Sequence, residues 1–113
     1  MTADGFTLPD RWAHVAERLP ASLEELSGPA IGPVELPRHL AWSGLTIFDL
    51  SDEQLLLGMY RVVLANGMHE DLIAYLNADI LGRHWPRLRI ALGRGVRSCW
   101  EQRFPQLMAA AAE

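Results

Sequence analysis

Six arginines fall between residues 83 and 103, in the stretch RHWPRLRIALGRGVRSCWEQR, with Glu101 as the sole acid among them. A guanidinium stays charged at any physiological pH and presents a planar fork of N–H donors that matches carboxylate or phosphate oxygens in pairs. The chemistry such a cluster offers is anion recognition. Its target is the phosphates of a nucleic acid, the carboxylates of an acidic protein, or the chain's own acids.

Charge along the chain keeps all three targets in view. Residues 1–80 carry four arginines against twelve acids, a formal −8, whereas residues 81–113 carry six arginines against Glu101 and Glu113, a formal +4. All ten basic residues are arginine, which a GC-rich coding bias explains without any functional demand. A basic stripe on an acidic chain is a weak nucleic-acid signature, and no Lys, Asn or Gln stands where base edges would be read. Opposite charges at the two ends also suit internal pairing when the ends pack together. An acidic protein partner fits arginines set beside tryptophans, since both are favoured where binding energy concentrates.

Other chemistries find little support. His14, His39, His69 and His84 are far apart in sequence, without HxxxH, HExxH or CxxC spacing, and Cys99 is the one thiol; a metal site needs three or four converging ligands. Cys99 falls on the apolar face of its helix, where a thiol behaves as a small hydrophobe. Ser43 in AWSGL lacks the GxSxG elbow, and LGRGV has neither the preceding strand nor the lysine of a phosphate loop. His69, Glu70 and Asp71 form a polar trio, but acids there serve a helix N-terminus. No catalytic residue, no metal and no cofactor are expected.

These residues must be positioned by helices. Residues 1–8 read as a flexible leader. Trp12, Val15 and Leu19 recur with helical spacing in PDRWAHVAERLP, which Pro20 ends. Ser22 and Glu25 make a capping box over SLEEL. The Pro- and Gly-rich SGPAIGPVELP is a connector, whose residues 34–36 pair with the strand-like LTIFDL as a small hairpin. SDEQLLLGMYRVVLANG is the central helix, with Ser51 and Gln54 as its capping box and Gly67 as its stop. Its polar line is confined to Gln54, Gly58, Arg61 and Ala65; a helix so apolar is buried or partnered, and self-association as a homodimer would cover it. HEDLIAYLN follows, and Asn77 caps ADILGRHW, which is expected to stop before Pro86. PRLRIALG then reads as a connector before the helix GVRSCWEQRF. There Leu92, Val96, Cys99, Trp100 and Phe104 share one face, Arg94 and Arg97 lie opposite, and Arg97 pairs with Glu101 one turn on. Pro105 breaks this helix and residues 107–113 form a fraying tail.

Trp12, Trp42, Trp85 and Trp100 are core candidates whose indole N–H groups need acceptors. Trp42, in LPRHLAWSG outside any secure helix, is also placed to line a groove. The candidate partner-binding residues are thus Arg83, Arg87, Arg89, Arg94, Arg97 and Trp42. The fold expected is mainly α, a compact bundle of four to five helices over residues 9–106 with at most a small β-hairpin near 34–50. At 113 residues a single domain buries roughly 65% of its unfolded surface, enough for a core without staples. The N-terminus has no signal-peptide pattern, no apolar run is long enough to cross a bilayer, and a lone cysteine suits a reducing cytoplasm.

The phrases LPRHLAWSG, YLNADIL, HWPRL and VRSCWEQRFPQL together resemble short, functionally unassigned helical proteins of high-GC soil bacteria, over about residues 33–106. The resemblance implies a bacterial cytoplasmic protein and brings no catalytic or ligand residues. The function expected is non-enzymatic: a small regulatory or adaptor protein that binds another protein or itself. A DNA-binding regulator using the arginines of 83–103 is the alternative.

Overall fold

The computed structural model describes residues 16–41 and 45–108. The leader, the first helix through residue 15 with Trp12 and His14, Trp42 and Ser43, and residues 109–113 of the tail lie outside the described residues. The fold is mainly α with one small hairpin, as expected.

Four helices carry the fold: α1 (Glu53–Asn66), α2 (His69–Tyr75), α3 (Ala78–Ala91) and α4 (Arg94–Arg103). They are preceded by strands β1 (Pro33–Glu35) and β2 (Ile47–Asp49), which pair antiparallel with Val34 opposite Phe48. A helical stretch at 16–18 ends before Pro20, and Ser22 caps a single turn at Leu23–Glu25 by accepting from the Glu24 N–H at 3.1 Å. The hairpin shows the alternation of a half-buried sheet. Val34 and Phe48 face inward while Glu35 and Ile47 face out. Gly32, at φ 91°, makes the left-handed bend that leads into β1.

The core gathers around α1. Met59, Tyr60 and Val63 have no accessible surface, and β2, α2 and α3 each pack against this helix. The sequence places its cap at Ser51; the structure moves it by one residue. Asp52 accepts from the Gln54 and Leu55 N–H groups at 2.9 and 3.2 Å, while Ser51 donates its hydroxyl to Asp49. A carboxylate at the N-cap is the stronger acceptor and also sits well at the positive end of the helix dipole. Asn77 caps α3 as expected, accepting from Asp79 and Ile80. Its own backbone N–H donates to the Tyr60 hydroxyl at 2.8 Å. Burial pushes the Tyr60 phenol up to about 12, the Asn77 N–H pulling weakly the other way, so Tyr60 stays neutral and acts as an acceptor inside the core.

The expected break at Pro86 does not occur. Helix α3 runs unbroken through it to Ala91. Pro86 withholds the N–H that the Gly82 carbonyl would accept, a cost of about 3 kcal/mol in an isolated helix. The apolar stripe Leu81, Trp85, Leu88 and Leu92 continues across the proline, and all four side chains are buried. Burying side chains of this size gains roughly 1.5–3 kcal/mol each, so packing on both sides of Pro86 outweighs the local breaker. Residues 86–91, read from the sequence as a connector, are therefore helix. At the other end, Leu107, assigned to the fraying tail, is buried beside a helical turn at 106–108.

Gly28 closes the connector onto the end of α2. Its N–H donates to the Leu76 carbonyl at 2.8 Å, and the preceding Ser27 N–H donates to Ile73 at 2.9 Å, so two carbonyls at the helix end gain partners. A Cβ at Gly28 would lie 2.4 Å from the Tyr75 carbonyl carbon, whereas a Cβ at Gly82, within α3, would meet nothing within 4 Å. Gly28→Ala is expected to destabilise by about 1–3 kcal/mol. Gly82→Ala should stabilise by about 1 kcal/mol through helix propensity. Opposite displacements of the urea midpoint in the two variants check both assignments.

Candidate interaction surface

Continuity of α3 sets the layout of the arginines. Arg83 and Arg87 are one turn apart on its outer face, and Ile90, three residues further, is 76% exposed on the same stripe. Arg89 points to the flank that meets α4. Arg94 is exposed and Arg97 half-buried on α4. The structure thus places Arg83, Arg87 and Ile90 together on α3, turns Arg89 inward, and leaves Arg94 and Arg97 on the next helix.

Glu101 organises the inner side. One of its oxygens accepts from the Trp85 indole N–H at 3.0 Å and from Arg89 Nε at 2.6 Å. The expected one-turn pair of Arg97 with Glu101 is replaced by Arg89, because α3 brings Arg89 alongside α4 and leaves Glu101 between the helices. Burial alone would raise the Glu101 carboxyl. The bonds from Arg89 and Trp85, with the charges of Arg89 and Arg97, outweigh it and hold the group below the ordinary glutamate value. Trp85 packs on Trp100 with ring centroids 6.4 Å apart, and Trp100 on Phe104 at 5.5 Å. Both described tryptophans are core residues, as their sequence positions indicate.

The outer arginines divide by partner. Arg87 pairs with Glu53, and both side chains are more than half exposed, so the pair contributes little to stability. His84 Nδ1 lies 3.8 Å from the same Glu53 oxygen. Burial lowers the His84 pKa, Glu53 raises it, and Arg87 and Arg83 lower it again; the net shift is downward and the imidazole is neutral at pH 7. Arg103 donates to the Pro20 carbonyl at 3.3 Å, the outlet its position toward the apolar face requires. Arg83, Arg94 and Arg97 make no ion pair among the described residues.

Two clefts border this surface. One, of about 460 Å³, runs beneath Arg83 and His84 and is lined by acids as well, Glu53 and Asp79. The other, of about 400 Å³, lies between α1 and α3 and contains no acid: Leu57, Gly58 and Leu88 with Gln54, Arg61 and Arg87 along its sides. The sequence singles out Gly58 and Arg61 but cannot set them opposite Arg87, since it ends α3 too early. The spacing of Leu81, Trp85, Leu88 and Leu92, counted across Pro86, is the signal that would have joined them.

Elsewhere two histidines tie distant parts of the chain together. His39 Nε2 lies 2.8 Å from Asp71 Oδ2, and His69 Nδ1 3.1 Å from the Arg18 carbonyl. No group of three or more His, Cys, Asp or Glu side chains converges among the described residues. Cys99 is buried; burial raises its thiol pKa, against the charges of Arg103 and Arg18. Comparison with protein-family models, with curated proteins and with solved structures finds no match.

Replacing Glu101 by Ala leaves the buried Trp85 N–H without its acceptor and should destabilise by roughly 1–3 kcal/mol. The pH response has a definite sign. With the folded pKa depressed, the Glu101 contribution is present above the unfolded value of about 4.3 and is lost as pH falls through the folded value. Chemical denaturation across that window should therefore show a steeper acid loss of stability in the native chain than in Glu101→Gln.

Proposed function

We propose that the protein is a non-enzymatic adaptor or regulator that binds another protein through the outer face of α3 and the adjoining part of α4. The observation that carries this reading is Ile90, largely exposed within the stripe that also holds Arg83 and Arg87. An apolar side chain left in water in the middle of a cationic face adds nothing to a phosphate contact. It adds burial and shape to a protein contact, where arginine and apolar anchors act together. No described helix is long and apolar enough to cross a membrane, and a lone thiol in a buried position suits the reducing cytoplasm in which we place the protein.

Nucleic-acid binding is the second reading, favoured by Arg83, Arg94 and Arg97 having no ion-pair partner among the described residues. Helices α2 and α3 also follow one another in helix–turn–helix order. Asp79 in the first turn of α3 opposes it, because the start of a recognition helix is the part that approaches the bases and their phosphates.

Fluorescence anisotropy of labelled mixed-sequence duplex DNA, at low and moderate salt, separates the two. The adaptor reading expects no binding at either salt concentration. Affinity that falls by orders of magnitude with salt, and that is lost in Arg83→Ala with Arg94→Ala and Arg97→Ala, would replace it with the nucleic-acid reading. Against a co-purified protein partner, Ile90→Ser should weaken binding by about tenfold, more than any single arginine change. Its stability should stay within about 0.5 kcal/mol of the native chain.

A further inference from the structure

Resting on the adaptor reading, we propose that the partner contact extends from the outer face of α3, past Arg87, into the cleft between α1 and α3, and that this groove takes an acidic amphipathic helix of the partner. The walls are two ridges of side chains, one from each helix. On α1, Gln54, Leu57, Gly58 and Arg61 recur at i, i+3, i+4 and i+7; on α3, Arg87, Leu88 and Ala91 supply the facing edge. The lining runs from Gln54 to Arg61 on one wall and from Arg87 to Ala91 on the other, roughly 11 and 6 Å at 1.5 Å per residue, so the groove seats about two turns of a helix. A volume of about 400 Å³ is in the range of clefts that take up apolar groups, about 300–1,000 Å³. This is the geometry of helix-in-groove recognition, in which apolar side chains one turn apart fill the floor.

Charge selects which helix. The apolar floor of Leu57 and Leu88 is flanked by a guanidinium from each wall, Arg61 and Arg87; no carboxylate lines the cleft, although Glu53 reaches Arg87 from just outside it. A partner with glutamates or aspartates beside its apolar face meets both. The exposed Arg87–Glu53 pair does not obstruct this, since a guanidinium has N–H groups for a second carboxylate. A second copy of this chain, docked groove to groove, would set arginine against arginine.

Gly58 supplies an independent argument. Glycine in a helix interior costs about 1 kcal/mol relative to alanine. Internal packing does not require it: a Cβ there would meet only Phe48 Cε2, at 4.0 Å. The missing side chain opens the groove floor and does nothing else visible in the fold.

The test is an NMR titration of the full-length, ¹⁵N-labelled protein with a synthetic amphipathic helical peptide, leucines on one face and glutamates flanking them. A second peptide has the glutamates replaced by lysines, and mixed-sequence duplex DNA serves as a third probe. The acidic peptide is expected to shift the amides of Leu57, Gly58, Arg61 and Ala91, and the lysine peptide to leave them in place. Gly58→Leu and the exposed Arg61→Glu should each reduce the acidic peptide's affinity by about tenfold, while Gly58→Ala keeps the fold and raises the unfolding temperature. Equal shifts with both peptides, or no shift with either, overturn the proposal. Shifts confined to Ile90, Arg94 and Arg97 overturn the groove but leave the adaptor reading standing. DNA shifts without peptide shifts overturn both. Concentration-dependent self-association of the native chain that Gly58→Leu abolishes assigns the groove to a second copy and also overturns it.

Discussion

Everything else in this fold is arranged around the need to cover the buried face of α1, formed by Leu56, Met59, Tyr60, Val63 and Leu64. Tyr60 makes that need exacting, because a phenol inside a core must find a hydrogen-bond partner there. The Asn77 N–H is that partner. The same residue caps α3 with its side-chain oxygen and donates from its side-chain nitrogen to the Gly28 carbonyl at 3.3 Å. One residue thereby fixes the turn between α2 and α3, the start of α3, and the close approach of the N-terminal connector. The direction of α3, and with it the position of the arginines, follows from how the central tyrosine is satisfied.

Charge placement follows the same inward logic. Glu101 is drawn between α3 and α4 by two donors, a buried indole and Arg89, and Arg87 takes Glu53 at the end of α1. Internal pairing therefore accounts for part of the arginine cluster, as the opposite charges of the two ends of the chain suggest. What remains outward is a smaller set than the sequence presents, Arg83, Arg94 and Arg97, with Arg61 from the central helix beside Arg87. The arginines thus divide between the outer faces of α3 and α4 and the seam between α3 and α1, where Arg87 lines the same cleft as Arg61.

Much of this was legible in the sequence, and the failures have specific causes. The hairpin was readable from LTIFDL and its partner at 34–36, because alternation and a turn-rich connector are local signals. The Asn77 cap was readable for the same reason. Ser51 and Asp52 were competing caps one residue apart, and a rule based on the capping-box pattern cannot weigh a carboxylate against a hydroxyl. Pro86 reads as a stop because a breaker rule treats the helix as isolated, whereas the buried stripe Leu81, Trp85, Leu88 and Leu92 belongs to the tertiary fold. The importance of Gly28 was invisible, since the backbone it touches, at Tyr75 and Leu76, is distant in sequence.

The seam also explains how an acidic protein can present a selective cationic site. At physiological ionic strength charges are screened beyond about 8 Å, so the net charge of −4 acts on an approaching partner only weakly and without favouring it. Discrimination falls to the last few ångströms, where Arg61 and Arg87 flank an apolar floor. A carboxylate without an apolar face finds two exposed guanidinium groups, one of them already paired with Glu53, and gains little. An apolar face without carboxylates gains the floor but leaves the flanking guanidinium groups without a partner. Only a surface carrying both features satisfies the cleft. That requirement is met where a glycine within α1 faces the part of α3 that continues past Pro86.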